Sequence, residues 1–262
     1  MTSAPTALVT GASGGIGYEL AKLLAKHHHN LVLVARSGDR LSQISSELQS
    51  QFGVSVKTVA LDLAAPPAPQ FLFDQLAREN IAIDVLINNA GYGQYGEFAK
   101  STLEESLGQI QLNITALTAL TALFLPGMLA RRSGRIMNVG STAGFQPGPL
   151  MAVYYATKAY VISLSEALAN ELAGSGVSVT CLCPGATETN FAGRAGNDRS
   201  RLFQNLKPMD AATVARDGYR AMMKGKTLVI SGFRNWLAAE SVRFAPRRAV
   251  TAISRWVSER VS

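Results

Sequence analysis

Short apolar runs alternate along this chain with stretches whose apolar residues recur at helical spacing. Ala7-Leu-Val-Thr10 runs into a glycine-rich turn, and Ile16, Leu20, Leu23 and Leu24 then fall at i, i+4, i+7 and i+8, one face of a helix. Leu31-Val-Leu-Val-Ala35 is apolar at every position, as a strand covered on both faces must be. Leu41, Ile44 and Leu48 mark a second helix. Val54 to Leu61, Asp84 to Asn88, Gly134 to Val139, Val177 to Cys183 and Thr227 to Ile230 predict further strands, with long helical patterns at about 101–131 and 151–174. Strands and helices in this order make βαβ units with right-handed crossovers and a parallel sheet. The 262 residues show no repeat or linker and suit one large α/β domain over 1–262. The expected fold is a single Rossmann-type, doubly wound parallel sheet with helices on both faces.

Composition removes several alternatives. With 47% hydrophobic and 16% charged residues, the chain is not of the disordered type. Its two cysteines, Cys181 and Cys183, are too few for a disulfide framework or a four-ligand zinc site, so no metal is expected. They read as small apolar residues of a buried strand, and a reducing, cytoplasmic setting is the expectation. The opening MTSAPTALVTGASGGIG has neither the basic nor the apolar part of an export signal. The most apolar stretch, Leu112 to Leu125, is studded with threonine and reads as too short and too polar for a membrane span. The net charge is +7, but no groove-reading motif accompanies it, so no nucleic-acid partner is expected.

In parallel sheets of this kind ligands bind beyond the carboxyl ends of the strands. The polar and glycine-rich clusters at 11–17, 36–39, 62–63, 88–93, 140–148 and 184–190 all follow predicted strands. Thr10-Gly-Ala-Ser-Gly-Gly-Ile-Gly17 stands between strand and helix. Gly11 permits a tight turn, Gly15 a close approach to a pyrophosphate, and Gly17 close packing of helix on strand. Ser13 and Ile16 belong to the same loop, and the helix N-terminus beyond offers free N–H groups to phosphate. At the end of the second strand, an acidic residue would bind the ribose 2′-hydroxyl of NAD(H). The chain has Ala35-Arg36-Ser37 there, and the Arg36 guanidinium suits a 2′-phosphate, so NADP(H) is the expected cofactor.

Tyr154 and Lys158 lie four apart in a helical segment, on one face and one turn apart. An ammonium near a phenol favours the phenolate and lowers its pKa, which equips Tyr154 to exchange a proton with a substrate oxygen. The neighbouring Tyr155 has Ala159 at i+4, so the register selects Tyr154. Ser141, just past the fifth strand, can polarise a substrate oxygen; Thr142 is its weaker rival.

Taken in order, the Gly11–Gly17 motif, Asn88-Asn-Ala-Gly91, Asn113, Ser141, Tyr154, Lys158 and Pro184-Gly-Ala-Thr-Glu-Thr189 resemble the motif set of the short-chain dehydrogenase/reductase family over roughly residues 6–230. The resemblance implies hydride transfer between NADP(H) and a carbonyl or secondary alcohol. It places Asp62 and Leu63 at the adenine, Ser37 beside Arg36, and Asn88 and Ala90 near the cofactor. It gives Lys158 the nicotinamide ribose, Asn113 a relay water, and Pro184, Gly185, Thr187 and Thr189 the carboxamide. It also implies that the helices at 101–131 and 151–174 pair in a homodimer or homotetramer. Two positions depart from the pattern. Gly14 stands where some NADP-using members carry a basic residue, and Thr187 where an aliphatic one is usual.

Residues 186–208, rich in glycine and arginine with Phe191, Leu202 and Phe203 among them, read as a substrate lid. Phe145, Leu150, Met151, Phe191, Tyr92 and Tyr95 either line an apolar pocket or are plain packing. The first reading suits an apolar ketone, 3-oxoacyl or sterol-like substrate. In the helical extension at 234–262, Val250, Ile253, Trp256 and Val257 fall at helical spacing among Arg243, Arg247, Arg248, Arg255 and Arg260. This basic amphipathic helix packs beside the substrate entrance, packs on another subunit, or makes weak peripheral contact with a membrane. Two further functions are open on the sequence alone, a catalytically silent NADPH-binding regulator and a peripheral membrane scaffold.

Overall fold

The computed structural model describes residues 4–197, 200–201, 204 and 208–260. Seven strands form one parallel sheet in the order β3-β2-β1-β4-β5-β6-β9. They are β1 (Thr6–Thr10), β2 (Asn30–Ala35), β3 (Val56–Ala60), β4 (Val85–Asn88), β5 (Gly134–Val139), β6 (Val177–Cys183) and β9 (Leu228–Ile230). The order reverses between β1 and β4, which opens a crevice at their carboxyl ends. A separate pair, β7 (Thr187–Glu188) and β8 (Met209–Asp210), ties together the two ends of the segment after β6.

Alternate residues of each strand feed opposite cores. Ala7, Val9, Leu31, Leu33, Val85 and Ile87 pack with α1 (Gly15–Lys26), α2 (Gly38–Phe52) and α8 (Ala211–Met223). Leu8, Val32, Val34, Leu86 and Ile136 face the other way. There they meet Leu72 and Leu76 of α3 (Ala68–Arg78), and Leu120, Phe124 and Met128 of α5 (Leu117–Ala130). Cys181 and Cys183 are free and fully buried in β6, with their sulfurs 3.6 Å apart. The expected fold class is therefore the observed one.

Some boundaries differ from expectation. The third strand covers Val56–Ala60, inside the predicted Val54 to Leu61. The 101–131 pattern is one 28-residue helix, Leu103–Ala130. It starts as α4 (Leu103–Ile110), capped by the reciprocal Thr102–Glu105 bonds, widens into a π turn at Gln111–Ala116, and continues through Pro126 as α5. By length and composition it could cross a membrane, which the shorter stretch Leu112 to Leu125 could not. Here its inner face is core, and Thr121 is tied to the sheet by Asn88.

Three further helices bear on the site. α6 (Ala152–Glu171) lies over β5 and β6, α9 (Phe233–Ser241) follows β9, and α10 (Arg247–Ser258) ends the described chain. Of the expected lid, α7 (Phe191–Ala195) is described, while Leu202 and Phe203 lie outside the described residues.

Candidate active site

The first turn closes because two glycines leave room for one asparagine. Gly11 has φ 64°, and a Cβ there would stand 2.7 Å from Asn89 Nδ2 and 2.9 Å from Ala90 Cα. A Cβ on Gly17 would stand 2.4 Å from both Asn89 Nδ2 and the Gly11 carbonyl oxygen. Through those gaps Asn89 Nδ2 donates to the carbonyls of Thr10, at 2.9 Å, and Gly11, at 3.2 Å. Thr10 Oγ1 accepts in return from the backbone N–H groups of Asn89 and Ala90. The ends of β1 and β4 are thus stitched together at the reversal point. Asn89 was not singled out in the sequence. Asn88 was, but it faces α5 and β5, where its amide donates to Thr121 Oγ1 and Asn138 Oδ1. As the last residue of β4 it points away from the crevice, so it supports the sheet while Asn89 holds the loop.

A cavity of about 1460 Å³ runs along the carboxyl edge. Of the residues expected at a cofactor, Gly11, Ser13, Gly15, Ile16, Arg36, Asp62, Leu63, Ala90, Tyr154, Lys158, Pro184, Gly185, Thr187 and Thr189 line it. Gly17 lies beneath the loop, and Ser37 sits at the start of α2, exposed and outside the lining. A dinucleotide fits this shape: a glycine cradle that any Cβ would fill, the free N-terminus of α1, and a long trough from Asp62 to Pro184. Arg36 is exposed at the trough's adenine end and makes no ion pair among the described residues. Gly14 has nothing within 4 Å of a Cβ, so nothing occupies the place of the basic residue found in some relatives.

At the far end Tyr154, Lys158 and Ser141 come together. Tyr154 and Lys158 are buried on one face of α6, with the Lys158 ammonium 5.7 Å from the Tyr154 ring centre. That ammonium donates to the Val139 carbonyl at 2.7 Å, anchoring α6 to the end of β5. Ser141 caps the short 3₁₀ turn after β5, accepting from Ala143 N–H. Burial pushes the Tyr154 phenol well above the usual tyrosine range, and the nearby Ser141 hydroxyl pulls it back only in part. Burial also pushes Lys158 down, to about 8. In this state burial dominates both groups, and the Lys158 ammonium bonds the Val139 carbonyl and not the phenol oxygen. Tyr155 also lines the cavity, but it packs on Gly148 with its hydroxyl toward Ser254 and Ser258 of α10.

Asn113 sits in the π turn, a helix defect frequent at functional sites. Its amide donates to the Tyr92 carbonyl at 2.8 Å and to Thr157 Oγ1 at 3.0 Å, and its Oδ1 accepts from Tyr92 N–H at 3.1 Å. The side chain is committed to those three bonds. No sequence signal announced Thr157 or this clamp.

The cavity does not end at the tyrosine. Met151, Tyr92 and Phe191 line it, whereas Phe145 packs beside Val161 and Tyr95 beside Met151. Leu150 is outside the lining. Beyond Phe191 the wall comes from α9, α10 and the turn between them, through Ala238, Val242, Ala245, Val250, Ile253 and Val257.

Comparison with known proteins agrees with this geometry. The profile of the family described as short chain dehydrogenase matches residues 5–200. A very-long-chain 3-oxoacyl-CoA reductase of Pyrenophora tritici-repentis is 32% identical over 256 residues, covering 94% of this chain and 74% of that protein. The human protein of the same name is 37% identical over 190 residues, 71% of this chain but only 60% of its own length. Among solved structures, a short-chain dehydrogenase from Sphingobium yanoikuyae in complex with NADPH superposes with a TM-score of 0.82 at 37% identity, covering 92% of this chain and 94% of that one.

Proposed function

This chain belongs to the short-chain dehydrogenase family and is an oxidoreductase working with an NAD(P)(H) cofactor; from that premise we propose that it uses NADPH to reduce an apolar ketone or 3-oxoacyl group, with Tyr154 as proton donor. The observation that carries this reading is the single cavity that joins Arg36, the Tyr154–Ser141 pair and an apolar wall. Arg36, unopposed by a carboxylate among the described residues, favours the 2′-phosphate of NADPH over NADH. The NADPH-bound relative supports the same choice.

When bound, the nicotinamide supplies or accepts the hydride. The chain does the rest. Ser141 donates a hydrogen bond to the substrate oxygen and so favours charge developing there. Tyr154, held protonated by burial, delivers the proton to that oxygen. Lys158 fixes Tyr154 relative to β5 and reaches the ribose side of the cavity. Asn113 is a positioning residue, holding Tyr92 and Thr157 around the pair. Loop residues Gly11, Ser13, Gly15 and Ile16 take the pyrophosphate, Asp62 and Leu63 the adenine side, and Pro184, Gly185, Thr187 and Thr189 the carboxamide.

The substrate reading rests on the apolar extension and on relatives named 3-oxoacyl-CoA reductases. On one 1–262 domain, Phe191 and the inner sides of α9, α10 and the turn between them, through Ala238, Val242, Val250 and Val257, cover the substrate. We place the enzyme in the cytoplasm as a homo-oligomer. Leu103, Leu107 and Ile110, exposed one helical turn apart on α4, supply an apolar face for a second copy. A series of 2-ketones and 3-oxoacyl thioesters of increasing length tests the substrate. Each added methylene should raise kcat/KM about fourfold until the wall is filled, from ~0.8 kcal/mol per buried CH₂. A flat series would refute the apolar-substrate reading, and no NADPH consumption with any member would leave the silent regulator.

A further inference from the structure

The last two helices close the cavity with one side and leave an unusual surface on the other. Ala239 and Val250 are buried, and Val242 and Val257 partly so. The outer side does not turn polar. Phe233 is 73% exposed, Phe244 88%, Ile253 61% and Trp256 57%, with Trp236 and Leu237 exposed beside them. Both tryptophans of the chain stand here, and Phe233 stacks on Trp236 with ring centres 5.7 Å apart. Single exposed apolar residues are ordinary, but six gathered on two adjacent helices and the turn between them form a patch that calls for an occupant.

The patch is basic as well. From 228 to 262 the sequence has six arginines against two glutamates, which accounts for most of the net charge of +7. Arg243 and Arg255 reach Glu240 and Glu259 in exposed pairs, whereas Arg234, Arg247 and Arg248 make no ion pair among the described residues. Phe233, Arg234 and Ile253 are exposed and also line the cavity, so the cavity opens within this patch.

We propose that the α9–α10 face docks the enzyme on an anionic lipid bilayer with its cavity mouth against the membrane. Aromatic rings interleaved with arginines on exposed, amphipathic helices suit the headgroup layer, where rings sit at the apolar boundary and guanidinium groups meet phosphate. A second copy is a poorer occupant. A closed two-fold contact sets the same patch against itself, so arginines would face arginines. The proposal does not depend on which carbonyl is reduced.

The two tryptophans make the test direct, because the intrinsic emission comes from the patch itself. Full-length protein is mixed at low salt with vesicles of phosphatidylcholine alone, or with one part in three phosphatidylglycerol. The expected result is a blue shift and co-sedimentation with the anionic vesicles only, both weakened by salt. Arg247→Glu/Arg248→Glu and Trp236→Ala/Phe244→Ala should each weaken that binding about tenfold or more. The same variants should keep their melting temperature and their turnover of a water-soluble ketone without vesicles, which separates failure here from failure of the reductase reading. Absence of binding to anionic vesicles by the folded enzyme overturns the proposal, and so does equal binding by both double variants. An emission already blue in solution, in an oligomer that the arginine variants dissociate, would assign the face to a second copy instead. Binding only to an acidic protein, with none to vesicles, would equally overturn it.

Discussion

The ammonium of Lys158 lies 5.7 Å from the centre of the Tyr154 ring yet gives its hydrogen bond to the carbonyl of Val139, at 2.7 Å. The lysine thus holds the helix that carries the tyrosine against the end of β5. Burial disfavours charge on both groups in this state. The phenol remains a proton donor across the neutral range, which favours reduction.

A difference between the two directions of reaction follows. Ketone reduction needs the protonated phenol and should be nearly independent of pH through neutrality. Alcohol oxidation needs the phenolate and should rise with pH, approaching tenfold per unit, until the tyrosine titrates. Initial rates in both directions over a pH series check this, and an oxidation optimum at neutral pH would contradict it.

The same burial makes stability depend on pH. Lys158 falls from 10.5 to about 8 on folding. Between those values the unfolded chain holds a proton that the folded chain lacks, so stability rises with pH across that window. Below it, the full cost of ~3 kcal/mol is present. Denaturant midpoints of the cofactor-free protein should therefore increase from pH 8 to 10, and Lys158→Met should remove this increment. An unchanged slope in the variant would assign the effect elsewhere.

Arg36 is the residue on which cofactor preference turns. Arg36→Asp removes the partner of the 2′-phosphate and supplies one for a ribose hydroxyl. A charge-assisted hydrogen bond of ~1.5–3 kcal/mol corresponds to roughly 10- to 100-fold, so kcat/KM for NADPH should fall by that factor while NADH improves. Unaltered preference would mean that Arg36 is not the clamp.

Asn89→Ala removes the two bonds that its amide makes across the turn and leaves the Thr10 and Gly11 carbonyls without them. We expect a loss of ~1–3 kcal/mol in stability and about tenfold weaker cofactor binding, with the chemical step at saturation changed far less. Calorimetric titration with NADPH and thermal melts check both, and wild-type affinity would remove Asn89 from the cofactor loop.

What could be read beforehand, and what could not, follows the physics of each position. β5 and β6 match their predicted limits because Ile136, Met137 and Val139 and Val177, Val179 and Leu182 are core residues, and each run ends at the glycine- or proline-bearing turn that follows. Tyr154 was separable from Tyr155 because helical register is a local property. Which asparagine of Asn88-Asn-Ala-Gly91 holds the loop was not legible, because the Asn89 amide meets two carbonyls 78 and 79 residues away in sequence. Strand alternation held a clue, since Asn88 is the last residue of β4 and its successor faces the other way. The π turn around Asn113 has no local sequence signal. Basic amphipathic character was evident in α10, but which side closes the cavity is settled by tertiary packing.

The central claim is that Tyr154 moves the proton at the end of a cofactor trough already built around it. Replacing it with phenylalanine removes one hydroxyl and leaves the trough intact. NADPH consumption with a ketone substrate, measured beside NADPH affinity, should show a 10²- to 10⁴-fold loss of turnover with affinity nearly unchanged. Equal turnover by Tyr154→Phe would contradict the account.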